Sequence, residues 1–337
     1  MVNTVLVPAL SATNVVACLS NPAGATAATY GTHDSVGNSM DCASIVQVAG
    51  QPYKYAAVYH TADSNGFYRI NLAGSNNLTS WTFIATLLQN ASMPKVVPVS
   101  NSEWVMIVHE QWQNVSGSGG SAAPCRFAYE LYYNWSDLFS GTVRASWTAP
   151  QYGSTPLDGT PSVYNASMAL SGGFYVVNGQ YGFHFFDGTR DVNAVTTTVD
   201  LFSPAGTATT SPSTAAAYNT VITNAGAIGS IGQRDTLQTT SARYNIQEGN
   251  LSGVSNFADW RIFLYTFGDS LSYPTGNGTV QQLTITTPNG STSVGNPSVN
   301  VVERPNGAGN ALVISYMLFA EGAGPGEAGS LIYYYNI

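Results

Sequence analysis

The sequence predicts an all-β fold, a five-bladed β-propeller, on three observations. Helical periodicity is almost absent from the 337 residues. Short apolar-aromatic runs recur between Gly, Asn, Pro and Ser, as at Tyr55–Tyr59, Trp104–His109, Gly173–Val177, Arg261–Phe267 and Ala311–Phe319. These runs group into a unit that returns five times, each with room for four strands, and a repeated four-stranded sheet around one axis is a propeller.

The first unit starts at Met40-Asp41-Cys42-Ala43-Ser44-Ile45, continues with Tyr55–Tyr59 and Gly66–Ile70, and ends at Asn77–Thr82. The second starts at Met93-Pro94-Lys95-Val96-Val97-Pro98, continues with Trp104–Val108, and ends at Trp135-Ser136-Asp137-Leu138. The third starts at Asp158-Gly159-Thr160-Pro161 and continues with Gly173–Val177. The fourth starts at Gln247-Glu248-Gly249-Asn250-Leu251 and continues with Trp260–Tyr265. The fifth starts at Gly295-Asn296-Pro297-Ser298-Val299 and continues with Ala311–Tyr316. The blade starts near residues 41, 93, 158, 248 and 296 are spaced irregularly, by 52, 65, 90 and 48 residues. A β-sandwich or jelly roll with long loops is the competing architecture. Residues 203–242, rich in Ala, Thr, Ser and Gly, read as an insertion between units three and four. No composition break divides the chain, so residues 1–337 read as a single propeller domain.

Composition narrows the function classes. Charged residues make up 8% of the chain, against about 25% in average soluble proteins. The formal charge is −8, and Lys54 and Lys95 are the only lysines. Nucleic acid and anionic membrane surfaces are therefore not expected partners. No apolar run is long enough for a membrane span. Eight Asn-x-Ser/Thr triplets start at Asn77, Asn90, Asn114, Asn134, Asn165, Asn250, Asn277 and Asn289. With so little Lys, they point to a secreted, extracellular glycoprotein. No basic segment followed by an apolar one opens the chain, so it reads as a mature form. Cys18, Cys42 and Cys125 are too scattered for a zinc site, and a Cys18–Cys42 disulfide with one free thiol is the expected arrangement.

First strands of propeller blades start at the central channel, so the residues at the unit starts face one axial pocket. Those residues are Asp41, Met93, Asp158, Glu248 and Asn296, three of them carboxylates in a chain poor in charge. The order Asp, Asp, Glu in units one, three and four resembles the five-bladed glycosidases of glycoside hydrolase families 43 and 62. Asp41-Cys42-Ala43-Ser44-Ile45 is similar to that group's Asp-Pro-Ser-Ile start, with Cys in place of Pro. Gln247-Glu248-Gly249-Asn250 is similar to the Ile-Glu-Gly-Pro context of its general acid, and residues 75–81 and 135–138 to its blade-closing Ser-Leu-Trp segment. The likeness runs from about residue 35 to 320. It implies Asp41 as general base, Asp158 as the carboxylate that tunes the acid, and Glu248 as general acid. It also implies a central ion held by a His in the fifth unit. Asn296 stands at that place here, which argues against a structural calcium, and no cofactor or metal is expected.

The chemistry needs these groups. Inverting hydrolysis takes a protonated carboxyl for the leaving oxygen and an ionised one to activate water on the opposite face. A third carboxylate raises the acid's proton affinity by like-charge repulsion. Asp34, in Gly31-Thr32-His33-Asp34-Ser35, is the alternative base. Arg243 and Gln247 precede Glu248 and are candidates, with Asn296, for binding sugar hydroxyls. Trp112 and Tyr181 follow strand ends, where an exposed ring can stack on a sugar face. Trp104, Tyr164 and Phe174 read as blade core. His33, His60, His109 and His184 have no metal spacing, and His109-Glu110-Gln111-Trp112 lacks the second His of a zincin motif. The expected activity is that of a secreted, monomeric, inverting exo-α-L-arabinofuranosidase acting on plant polysaccharide or oligosaccharide. A β-xylosidase, arabinanase or galactanase of the same fold is the near alternative. A propeller lectin would repeat near-identical sugar sites in every blade, and a propeller lyase would favour an acidic sugar.

Overall fold

The computed structural model describes residues 10–99, 102–112, 125–148, 162–171, 174–196, 199–200, 208–209, 213–239, 242–253, 256–267 and 276–337. Twenty of their 22 strands form five four-stranded antiparallel sheets, the five blades of a propeller, and Val199–Asp200 pairs apart with Ala208–Thr209. Blade 1 comprises Asp41–Gln47, Tyr55–Ala62, Tyr68–Ser75 and Thr82–Gln89. Blade 2 comprises Ala91–Pro98, Val105–Trp112, Cys125–Tyr132 and Ala145–Thr148. Blade 3 comprises Ser162–Ser171, Phe174–Phe186, Asp191–Thr196 and Ser213–Thr214. Blade 4 comprises Ile231–Gln238, Arg243–Asn250, Trp260–Phe267 and Thr279–Leu283. Blade 5 comprises Val294–Glu303, Asn310–Leu318, Gly329–Asn336 and, from the other end of the chain, Ala27–Tyr30. The first strands touch one another in turn and close a ring around the axis.

The core lies between blades, which explains why the sequence shows continuous apolar runs rather than clean alternation. Each central strand buries both faces, and its two sets of side chains enter different clusters. Tyr55, Ala57 and Tyr59 pack toward blade 5, whereas Ala56 and Val58 pack toward blade 2. Val105 and Ile107 face blade 1, while Met106 and Val108 face blade 3. Ile262 and Leu264 join the cluster shared by blades 4 and 5, and Phe263 and Tyr265 pack on helix Ala216–Asn224.

Closure of the ring is made by the outermost strand of blade 5. Ala27–Tyr30 pairs antiparallel with Leu331–Tyr334, so the two ends of the chain share one sheet. The helix Ala12–Ser20, capped by the Ser11 hydroxyl, buries Val15, Cys18 and Leu19 in the cluster between blades 4 and 5. The hydroxyls of Tyr316 and Tyr333 donate to Leu19 O at 3.0 and 2.9 Å.

Two sequence expectations are corrected here. The fourth blade begins at Ile231 rather than at Gln247, and Glu248 lies on its second strand. The segment read as an insertion thus contains the first strand of a blade. That strand, IGQRDTLQ, lines a polar channel and has no apolar run to mark it. The expected Cys18–Cys42 disulfide is absent, and Cys18, Cys42 and Cys125 are buried free thiols. Cys18 lies on the helix Ala12–Ser20 and packs between blades 4 and 5, whereas Cys42 lies at the channel against Met93.

Deleting residues 1–30 should therefore destabilise the propeller and promote association. It removes the buried Val15 and Leu19 side chains, each worth about 1.5–3 kcal/mol, and bares the Gly329–Asn336 edge. Calorimetry should show a lowered unfolding midpoint, and light scattering should show growth of aggregates. An unchanged midpoint would mean that the shared sheet contributes nothing to closure.

Candidate active site at the channel mouth

All five first strands carry a β-bulge near their start, at Asp41/Ser44, Ser92/Lys95, Val163/Asn165, Ile231/Arg234 and Gly295/Ser298. Three of the bulges hold a non-glycine residue in the left-handed region, namely Cys42 (φ 53°), Met93 (φ 50°) and Asn296 (φ 50°). Such bulges re-aim side chains and amides at strand ends. Here they gather residues from several blades at one mouth of the channel.

Cys42 marks the centre of the gathering. Its Sγ is 3.0 Å from Met93 Sδ. Burial pushes its thiol well above the ordinary range, and the charges of Asp41, Glu248 and Glu110 add to that push. Carboxylates from blades 1, 2 and 4 thus all act electrostatically on one buried sulfur, which stays protonated and is no nucleophile.

Asp41 is half-exposed and accepts the Ser39 hydroxyl on Oδ1 at 2.8 Å. Its backbone pairs with His60, on the second strand of blade 1. His60 is buried and accepts the Met93 amide on Nδ1 at 3.1 Å, which places its ring proton on Nε2. Burial lowers the His60 pKa, and the Asp41 charge opposes that shift only in part.

Glu248 is buried and reaches the seam between blades 4 and 5. Its Oε2 accepts the amide of Asn296 at 2.5 Å. Gly232 and Gly295 flank the carboxylate, and a Cβ at either position would overlap one of its oxygens. Two glycines from adjacent blades thus make room for a carboxyl group that neighbouring side chains would otherwise exclude.

Glu110 has the place in blade 2 that His60 has in blade 1. It pairs with Ser92 across the bulge and accepts the Ser92 hydroxyl at 2.5 Å. Ser92 in turn accepts Trp112 Nε1 at 2.6 Å. The Trp112 ring lies 6.1 Å from that of Tyr68, which meets the His60 ring edge-on at 5.0 Å. Burial raises the Tyr68 pKa, with Glu110, Cys42 and Asp41 adding to it. A half-buried aromatic wall therefore stands beside the carboxylates, on the blade 1 and blade 2 side.

Of the residues singled out in the sequence, Asp41, Glu248, Asn296 and Trp112 come together here. Asp158 lies outside the described residues. Asp34 does not join them. Its Oδ1 accepts the amides of Val36 and Asn38, both at 2.9 Å, and its Oδ2 accepts Asn38 Nδ2 at 2.8 Å and the Tyr59 hydroxyl. Burial alone would raise its pKa, but these hydrogen bonds hold it below the ordinary value. With both oxygens committed to a turn, Asp34 is a structural carboxylate. Arg243 starts the strand that Glu248 nearly ends, about 17 Å away at strand rise, and its guanidinium lies over Phe267. Gln247 points to the opposite face from Glu248 and bonds Asn193 and Tyr218 between blades 3 and 4. Tyr181 is fully buried against Phe127 and Tyr129, in blade core rather than on a sugar-stacking surface. Asn250 is buried in its strand and donates to Asn256 O at 2.9 Å, which leaves no room for a glycan.

Glu110, Ser92, His60 and Tyr68 were not foreseen. The signal was available in the second strands, where Val58-Tyr59-His60 and Val108-His109-Glu110 occupy equivalent places, but it requires aligning blades by register rather than by strand starts.

No family model matches the chain, and no curated protein matches it in sequence. Solved structures do match in fold. A thermostable family-43 glycoside hydrolase is similar over 91% of this chain and 92% of its own, with a TM-score of 0.51 and 12% identity. An N-acetylgalactosamine deacetylase from F. plautii, crystallised with blood group B trisaccharide, is similar over 94% of this chain and 92% of its own, with a TM-score of 0.50 and 10% identity. At these identities the likeness is one of architecture, the five-bladed propeller that the repeat pattern predicted.

The His60 environment has a measurable consequence. A histidine whose folded pKa is depressed is protonated first in the unfolded chain, so acidification favours unfolding. Urea-unfolding stability should fall as pH drops below 6.5, the ordinary value for His, and His60→Gln should flatten part of that slope. Asp34 and Glu327, whose pKa values are also lowered, act in a separate window below their ordinary values of 3.8 and 4.5. An identical slope in the variant would show that His60 is not held neutral by the fold.

Proposed function

We propose that the channel mouth is the active site of a glycoside hydrolase. The observation that carries this reading is the placement of Asp41 at the blade 1 bulge and of Glu248 against the blade 5 bulge, on non-adjacent blades, with the Tyr68–Trp112 wall beside Asp41's strand. In this reading Glu248 gives its proton to the glycosidic oxygen as the bond breaks. Asp41 takes a proton from the water that attacks the anomeric carbon from the opposite side, and the product is inverted. Asp41 suits the second role because Oδ2 accepts no hydrogen bond among the described residues, while Ser39 orients Oδ1. The half-buried rings of Tyr68 and Trp112 suit the apolar face of a sugar. Asp158 keeps the tuning role that the family resemblance implied, and Glu110 adds a further negative charge to the same mouth.

Within this reading the substrate is a plant cell-wall polysaccharide or oligosaccharide, and the activity is that of an exo-α-L-arabinofuranosidase acting as a monomer. The likeness to a family-43 hydrolase fold supports the class, and the residue resemblance around Asp41 and Glu248 supports the finer assignment. Secretion fits the exposed triplets at Asn77, Asn277 and Asn289, together with the burial of Asn250, which keeps a glycan away from the mouth.

The test is kinetic. Glu248→Gln should lose about 10²–10⁴-fold on substrates with poor leaving groups and much less on an activated aryl glycoside. Asp41→Asn should lose rate on both, with partial rescue by azide as the nucleophile. Proton NMR of the first-formed anomer should show inversion. Wild-type rates in Glu248→Gln on polysaccharide would assign the proton to another residue. Failure of the wild type to hydrolyse any aryl arabinoside, xyloside or galactoside would point to a lectin or a lyase.

A further inference from the structure

Below the mouth, the channel axis is crossed by an ion pair. Lys95, on the first strand of blade 2, bonds Asp235, on the first strand of blade 4. These blades are not neighbours in the ring, so the pair spans the channel. The same Asp235 Oδ2 accepts the Ser298 hydroxyl at 3.0 Å and the Val299 amide at 2.9 Å, both from blade 5. Blade 1 reaches this level through Ser44, whose Oγ accepts the Val96 amide at 3.1 Å. Both charged groups are buried, Lys95 at 7% exposure and Asp235 at 1%.

The family resemblance implied a bound ion on the axis, and the residues present do not fit one. A hard divalent cation takes six to eight oxygen ligands. Among the described residues, Asp235 is the carboxylate that pairs at that level, and its Oδ2 is already filled by an ammonium, a hydroxyl and an amide. A second cation would face the fixed charge of Lys95. Among the described residues, no group of three or more His, Cys, Asp or Glu side chains is arranged to hold a metal.

We propose that the Lys95 ammonium is the resident cation of this channel, a covalently tethered substitute for a bound ion that ties blades 2, 4 and 5 together. The ammonium neutralises Asp235 without a coordination sphere, so the fold needs no metal for its axis. Removing the side chain leaves space for an added cation beside the oxygens of Asp235 and Ser298. This inference stands apart from the proposed sugar chemistry, and its test reads stability alone.

The test compares thermal unfolding midpoints. The wild type should be indifferent to EDTA and to calcium chloride. Lys95→Ala should unfold about 5–10 °C lower, because a buried carboxylate loses its partner. Propylammonium, the missing part of the side chain, or calcium chloride should restore much of that loss, beyond the effect of sodium chloride at equal ionic strength. Lys95→Met combined with Asp235→Asn, which removes both charges, should fold and ignore every added cation. A wild type destabilised by EDTA would overturn the proposal, as would a Lys95→Ala variant of wild-type stability or one that responds to cations no more than the wild type. If Lys95→Ala does not fold, folding of the charge-free double variant supports the proposal. Failure of both would make the role of Lys95 one of packing and overturn it.

Discussion

The bulge near the start of each first strand is the constraint on which the site depends. A non-glycine residue at φ near 50° is held against a local preference of about 1–2 kcal/mol, and this occurs at Cys42, Met93 and Asn296 in equivalent places. The return is an amide turned out of the ladder toward the preceding blade. Met93 N donates to His60 of blade 1, and Asn296 N donates to Glu248 of blade 4. In both cases the acceptor lies near the end of a second strand. The seam between blades therefore ends in a side chain fixed by the next blade's bulge. One geometry locks the blades together and places a chosen side chain at the mouth.

Charge along the axis follows from that geometry. Carboxyl groups from blades 1, 2 and 4 act on Cys42, while Lys95 is buried in an ion pair with Asp235. The mouth therefore gathers carboxyl groups beside half-buried rings, and the floor is closed by an ion pair. The glycines at 232 and 295 are part of the same device, since the Glu248 head fits only where two adjacent strands lack side chains.

Much of this was legible in the sequence, for physical reasons that differ between residues. Central strands bury both faces, so Tyr55–Tyr59, Val105–Val108 and Ile262–Tyr265 stand out as apolar runs. The first strand of blade 4, IGQRDTLQ, does not, because its sequence holds no apolar run, whereas its partner strand carries the buried Tyr244 and Ile246. Glu248 lies on a second strand rather than at a blade start, and its carboxyl group still reaches the seam with blade 5. Tyr181 and Arg243 show the opposite case. Local sequence cannot say that Tyr181, inside the long strand Phe174–Phe186, turns into the blade core, or that Arg243 and Glu248 lie near opposite ends of one eight-residue strand. Lys95 was visible as one of two lysines, but its partner lies 140 residues away, and only the closed ring brings them together.

Recognition of a sugar at this mouth is tested by a crystal structure of the protein soaked with an iminosugar that mimics the charge of a glycosyl transition state. The iminosugar ring should lie against Tyr68 and Trp112, with its cationic nitrogen within hydrogen-bonding distance of Asp41 or Glu248. Density for the iminosugar on the outer rim of the blades, with the mouth unoccupied at saturating concentration, would contradict it.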